Sequence, residues 1–218
     1  MKQIFISIII FLSLILTGSV QAEENLFRKA MQSDKNGFFE DAVIDWNNFL
    51  DSNPDKDLRI YAQIKLSITY LKLDRPKKAL ETAKDLHNFA PENFHTNFNL
   101  GNTLGRFINY SDAAKAFEAV IRLAPDRGLG YVGLALCHFG DRDREKAMDL
   151  LHIAKKVFKN KKNISWHRDA RIMIGQIRSF EKYPPNFSNL WLANNLKNVR
   201  DTYEKKILRK FRKRLMKP

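Results

Sequence analysis

The sequence predicts an all-α chain, built as an array of helix–turn–helix repeats and closed by a further helix at its C-terminal end. Three observations carry this. In "SDAAKAFEAVIRLAPD" (111–126), Ala113, Phe117, Val120 and Pro125 set an A-x3-F-x2-V-x4-P spacing. The spacing recurs: Ala79, Ala83, Leu86 and Pro91 lie 34 residues upstream, and Ala42, Trp46, Phe49 and Pro54 lie 37 earlier still. Ala147, Leu151 and Ala154 continue it 34 residues downstream, with Lys159 in place of the proline. Finally, a small residue stands twelve positions before each repeated alanine: Ala30, Ser67, Gly101 and Ala135. A fixed period of this length marks stacked supersecondary units.

Taken in order, the N-terminus reads as a targeting segment. Lys2 supplies a positive start, Ile4 to Leu16 form an apolar run broken only by serines, and "TGSVQA" ends it with small residues. This pattern predicts a signal peptide, residues 1–22, cleaved after Ala22. The run is short of the roughly 20 residues a spanning helix needs; an uncleaved anchor is the alternative. Either way, the remainder is expected to be exported to the periplasm or secreted.

Helices are expected at 24–36, 39–52, 58–72, 76–89, 94–107, 110–123, 128–140 and 143–158. In each pair, the small residue of one helix facing the alanine of the next lets two antiparallel helices approach closely. The proline after the second helix cannot continue it and turns the chain into the next unit. A basic loop, "KNKKN", leads to a lone helix over 164–182 containing Ala170 and Gly175, stopped by Pro184 and Pro185. In the last helix Leu192, Leu196, Val199, Tyr203, Ile207, Phe211 and Leu215 recur every three or four residues as an apolar stripe. An array of this kind ends on an exposed apolar face, which such a helix would cap. The expected organisation is a repeat array over 23–182 followed by a basic amphipathic helix over 183–218.

"FNLGN" (98–102) and "YSDAAKAFEAVIRLAPD" (110–126) make the third unit resemble the tetratricopeptide repeat (TPR) family, and the likeness extends over about 24–159. Departures are the three extra residues around Asp55–Asp57, and Trp46 and Ala83 in place of the usual aromatic. The resemblance implies a right-handed superhelix of four repeats plus a degenerate fifth helix. It also implies a concave groove, lined by the first helix of each unit, that takes up a partner protein or peptide. The matching positions are Phe27 and Met31; Tyr61, Ile64, Ile68 and Leu71; His95, Phe98, Asn99 and Asn102; and Leu129, Val132, Leu136 and Phe139. Several are apolar where solvent would stand, so the groove is expected to bind a partner or to be covered by the chain itself. The lysine-rich set with which some members clamp a terminal carboxylate is not reproduced: those positions hold Phe27, Met31, Lys65, His95 and Asn99.

The chain of 218 residues carries a formal charge of +14. Much of that is local, since residues 197–218 hold ten Lys or Arg against Asp201 and Glu204. Lys205, Lys206, Arg209, Lys210, Arg212, Lys213, Arg214 and Lys217 would let this helix lie on an anionic membrane surface or hold an acidic partner. Nucleic acid is a poor candidate for an exported chain.

No constellation for catalysis is recognisable. The five histidines lack zinc spacing. Cys137 and His138 are adjacent on a helix and so point about 100° apart, which does not make a dyad. No catalytic, cofactor-binding or metal-binding residue, and no small-molecule substrate, is expected. The sequence therefore points to an exported scaffold or adaptor working through its groove. The alternative is an anchor to an anionic membrane or envelope polymer through the C-terminal helix, with the repeats as support.

Overall fold

The computed structural model describes residues 21–184 and 187–216. Most of the expected targeting segment, Pro185 and Lys217 lie outside the described residues. Helices follow one another as α1 (21–36), α2 (Phe39–Asp51), α3 (Lys56–Lys72), α4 (Pro76–Phe89), α5 (Phe94–Arg106), α6 (Tyr110–Leu123), α7 (Gly128–Gly140), α8 (Arg144–Asn160) and α9 (Ile164–Arg178). A 3-10 turn, Phe180–Lys182, precedes α10 (Phe187–Thr202), which runs through a π-helical segment, Tyr203–Leu208, into α11 (Arg209–Leu215). There is no strand, and no helix is long and apolar enough to cross a membrane, among the described residues.

The repeat columns are the core. Ala42, Ala79, Ala113 and Ala147 are fully buried, as are Trp46, Ala83, Phe117 and Leu151 four positions on and Phe49, Leu86, Val120 and Ala154 three further. The small residue of each unit, Ala30, Ser67, Gly101 and Ala135, is buried too. Their size is a requirement of packing: a Cβ on Gly101 would lie 3.0 Å from the Phe117 ring, and one on Gly133 only 2.4 Å from it.

The turns repeat as faithfully. Gly37, Asp74, Ile108 and Arg142 all have positive φ (81°, 53°, 60° and 68°). In each case the next residue's N–H returns to the carbonyl five back: Phe38 to Ser33, Arg75 to Tyr70, Asn109 to Leu104 and Asp143 to His138. This is the 6→1 bond of a Schellman C-cap. Asn109 and Asp143 then cap the following helix, accepting from the N–H groups of Asp112 and Lys146. A left-handed residue followed by a capping side chain thus reverses the chain in two residues.

The chain forms two compact units that divide between Arg75 and Pro76. In the first, α2 packs on α3, and Asp34 is buried with the Lys65 ammonium at 2.7 Å and Lys72 at 3.3 Å. Burial alone would raise the Asp34 pKa, but these two cations hold it below the ordinary carboxylate value. In the second unit α4 to α9 pack each on the next, and α10 lies against α5 and α7. The C-terminal helix therefore belongs to the same compact unit as α4–α9. It covers more than the end of the array.

Candidate functional site

The C-terminal helix settles on the first helices of repeats three and four. Tyr203 lies flat on Phe98, ring centroids 4.3 Å apart and planes 13° from parallel. Phe211 stacks in the same way on His95, at 4.2 Å and 17°. The Tyr203 hydroxyl is 3.1 Å from His95 Nδ1. Further along α5, Gly105 admits Leu196: a Cβ there would stand 3.4 Å from a Leu196 methyl. Toward the start of α10, Trp191 packs on Phe139, centroids 4.8 Å apart, and its indole N–H donates to Gln176 Oε1 at 2.8 Å.

The apolar stripe of this helix does not follow the simple three-and-four spacing. Trp191, Leu192, Leu196, Val199, Tyr203, Leu208 and Phe211 are buried, while Ile207 and Leu215 are only half-buried. The step from Tyr203 to Leu208 is five residues, which in a regular α-helix would leave them about 140° apart. The π segment spans that step, and its i→i+5 closure brings both onto one face. Leu208, rather than Ile207, is therefore the buried residue.

His95, Phe98, Asn99 and Asn102 share one face of α5, as their spacing predicts. Asn102 falls between Phe98 and Gly105, the positions that Tyr203 and Leu196 meet. Both asparagines are buried. The Asn99 amide nitrogen and both amide atoms of Asn102 have no hydrogen-bond partner among the described residues. His95 is held neutral, its pKa lowered to about 3, first by burial and then by the nearby Arg127 and Arg214 cations.

The other expected groove residues are not an open apolar surface but are covered by the chain itself. Phe27, Tyr61, Ile64 and Ile68 are buried, as are Leu129, Val132, Leu136 and Phe139; only Met31 and Leu71 are half-exposed. Tyr61 packs on Trp46 and Phe27 within the first unit, and its hydroxyl lies 3.4 Å from the Met31 sulfur. Lys65 is engaged by Asp34. Of the basic set, Lys205, Lys206, Arg209, Lys210, Lys213 and Arg214 are exposed and Arg212 is half-buried. Ala22 is exposed in the first turns of α1. Burial drives the thiol of Cys137 to a far higher pKa, so it is held protonated in the core.

Sequence reasoning missed Trp191, Leu208 and Gln176. Only Trp191 had a signal, being the one tryptophan of the last helix.

No protein-family model and no curated protein matches the chain. Solved structures do. A MamA structure from Desulfovibrio magneticus RS-1 is 17% identical, with a TM-score of 0.60 over 84% of this chain and 96% of that one. Another MamA structure, 16% identical, gives 0.61 over 84% of this chain and 94% of that one. YrrB, described as a TPR protein with an unusual peptide-binding site, gives 0.54 at 19% identity over 66% of this chain and 72% of that one. At these identities the likeness is one of fold, and the chain shares the fold of tetratricopeptide-repeat proteins.

Proposed function

We propose that the protein is an exported scaffold that holds a segment of another protein on the inner face of α5 and α7, and that its own C-terminal helix occupies this face until a partner displaces it. One observation carries the reading. The face already receives a helix through stacked rings and a seated leucine, yet the Asn99 amide nitrogen and both amide atoms of Asn102 stay buried without partners among the described residues. Each such group costs about 1–3 kcal/mol, so an occupant offering backbone carbonyls and N–H groups there would bind better than the resident helix. The peptide-binding site named for YrrB supports a partner of this kind. The exported location rests on the signal-like sequence of residues 1–22 alone.

The test compares the wild-type chain with a Tyr203→Ala, Phe211→Ala variant as baits in extracts of the source cell, washed at high salt. The variant, its helix unseated, is expected to retain a protein that the wild type holds weakly. Equal capture by the two would sink the proposal.

A second reading has its own observation: among the described residues, Lys205, Lys206, Arg209, Lys210, Lys213 and Arg214 of the C-terminal helix are exposed while Tyr203, Leu208 and Phe211 are buried. That arrangement supports a purely electrostatic attachment to an anionic surface. It would sediment with anionic vesicles at low salt and release at high salt.

A further inference from the structure

Beside the seated helix lies a cleft of about 570 Å3, bordered by the His95–Phe211 stack. The repeats contribute one wall, with the apolar Leu129 from α7, Phe158 from α8 and Trp166 from α9 beside Asp126, Arg127 and Lys161 from the turns. Phe158 and Trp166 stack with centroids 5.7 Å apart. Packing fixes this wall: a Cβ on Gly128 would come within 2.7 Å of the Phe158 ring. The opposite wall is the C-terminal helix, which contributes Lys206, Lys210 and Arg214.

The charge is one-sided. Five cationic side chains line the cleft against one carboxylate, Asp126, and Lys161 already holds that carboxylate at 2.6 Å. Arg127 adds its charge from the start of α7, its guanidinium 4.4 Å above the Phe94 ring. Helix α7 begins there without a side-chain cap, so its positive end reinforces the field. Like charges gathered around a cleft favour an anion between them.

Spacing decides which anion. Lys206, Lys210 and Arg214 are four residues apart; the step from Lys210 to Arg214 lies in α11 and rises roughly 6 Å, while the step from Lys206 starts in the π segment. An extended chain rises about 6.6 Å every two residues and points alternate side chains to opposite sides. Carboxylates at every second position of an extended peptide therefore match the cation row, while the residues between them face Leu129, Phe158 and Trp166. A fatty acid or lipid carries its charge at one end and does not match a row, and a planar membrane cannot enter a cleft. We propose that this cleft binds an extended segment of a partner protein in which acidic and apolar residues alternate. The site needs the C-terminal helix in its seat, because that helix is one of the walls.

The test is fluorescence anisotropy of a labelled pentapeptide, EFELE, titrated with the full chain. Saturable binding is expected, weakened about tenfold or more by Lys206→Glu with Lys210→Glu. Lys205→Glu with Arg209→Glu makes the same change in charge on the same helix outside the cleft and is expected to cost less than about threefold. The peptide ESESE is expected to bind about tenfold more weakly, for want of its apolar side chains. All four substituted positions are exposed, and unchanged melting temperatures would confirm that the variants fold. Equal losses from the two double variants, equal binding of ESESE, no saturable binding, or preference for phosphatidylglycerol vesicles over the peptide would each overturn the proposal. None of these outcomes touches the scaffold reading, which concerns the face beneath the helix and is tested by unseating it.

Discussion

Tyr203 rests on Phe98 with the two rings 4.3 Å apart, and its hydroxyl reaches His95, so one side chain ties the C-terminal helix to α5 by stacking and by a hydrogen bond. The two contributions are separable. Tyr203→Phe removes only the hydroxyl and is expected to weaken seating by about 1 kcal/mol. Tyr203→Ala also removes a fully buried ring and is expected to cost about 3–5 kcal/mol. Chemical denaturation followed by tryptophan fluorescence measures both, since Trp191 lies in the seated helix. Equal effects of the two substitutions would mean that the stacking contributes nothing.

His95 makes seating depend on pH. In the seated state its pKa is about 3, against 6.5 for an ordinary histidine. Between those values a released His95 takes up a proton and a seated one does not, so stability of the seated state is fully present above pH 6.5 and declines as pH falls. At pH 5 the loss is expected to be about 2 kcal/mol. NMR titration checks it: the His95 ring resonance should not move between pH 8 and 5 in the wild type. In the Tyr203→Ala, Phe211→Ala variant it should titrate at a higher pH, toward that of an ordinary histidine, with Arg127 still holding it somewhat below.

The π segment leads to an unusual expectation for a deletion. Removing the exposed Lys205 makes Tyr203 and Leu208 four residues apart in place of five, a spacing that a regular α-helix puts on one face. The shortened helix is expected to keep its seat, with stability within about 1 kcal/mol of the wild type. Deleting the exposed Asn198 from the regular part of α10 is expected to throw Leu196 and Tyr203 out of phase and unseat the helix. Thermal melts of the two deletions decide it.

Ile108 turns the chain between α5 and α6 at φ 60°, with its side chain 73% exposed. A β-branched residue is strained there, and Gly37 holds the matching position in the first repeat without strain. Ile108→Gly is expected to stabilise the protein by roughly 0.5–1 kcal/mol, raising the melting temperature by a few degrees.

Much of the architecture was legible because repetition averages out ambiguity. One A-x3-F spacing means little, but Ala42, Ala79, Ala113 and Ala147 recur with matching small residues and are all fully buried. The helix ends follow from the same period, with only small shifts, such as α3 beginning at Lys56 and α8 ending at Asn160. The fate of the last helix was not legible. Its apolar stripe says that something covers it, while the choice of α5 and α7 depends on long-range packing that no local pattern encodes. Ile207 and Leu208 are both apolar, so periodicity favours the first, and only the π segment shows that the second is buried. The groove residues were apolar for two reasons: some, such as Tyr61, pack within the repeats, while Phe98 and Phe139 meet the C-terminal helix. A charge at Ile68 or Leu136, each buried, would test folding before it tested binding.

The central claim is that the C-terminal helix is an exchangeable occupant of the inner face. Amide hydrogen exchange on the full chain, with no partner present, tests it most directly. If the claim holds, amides of Phe187–Leu215 open by a local event of markedly lower free energy than those of α5 to α8. If the two sets exchange at one common free energy, the helix is an integral part of the core and the claim is contradicted.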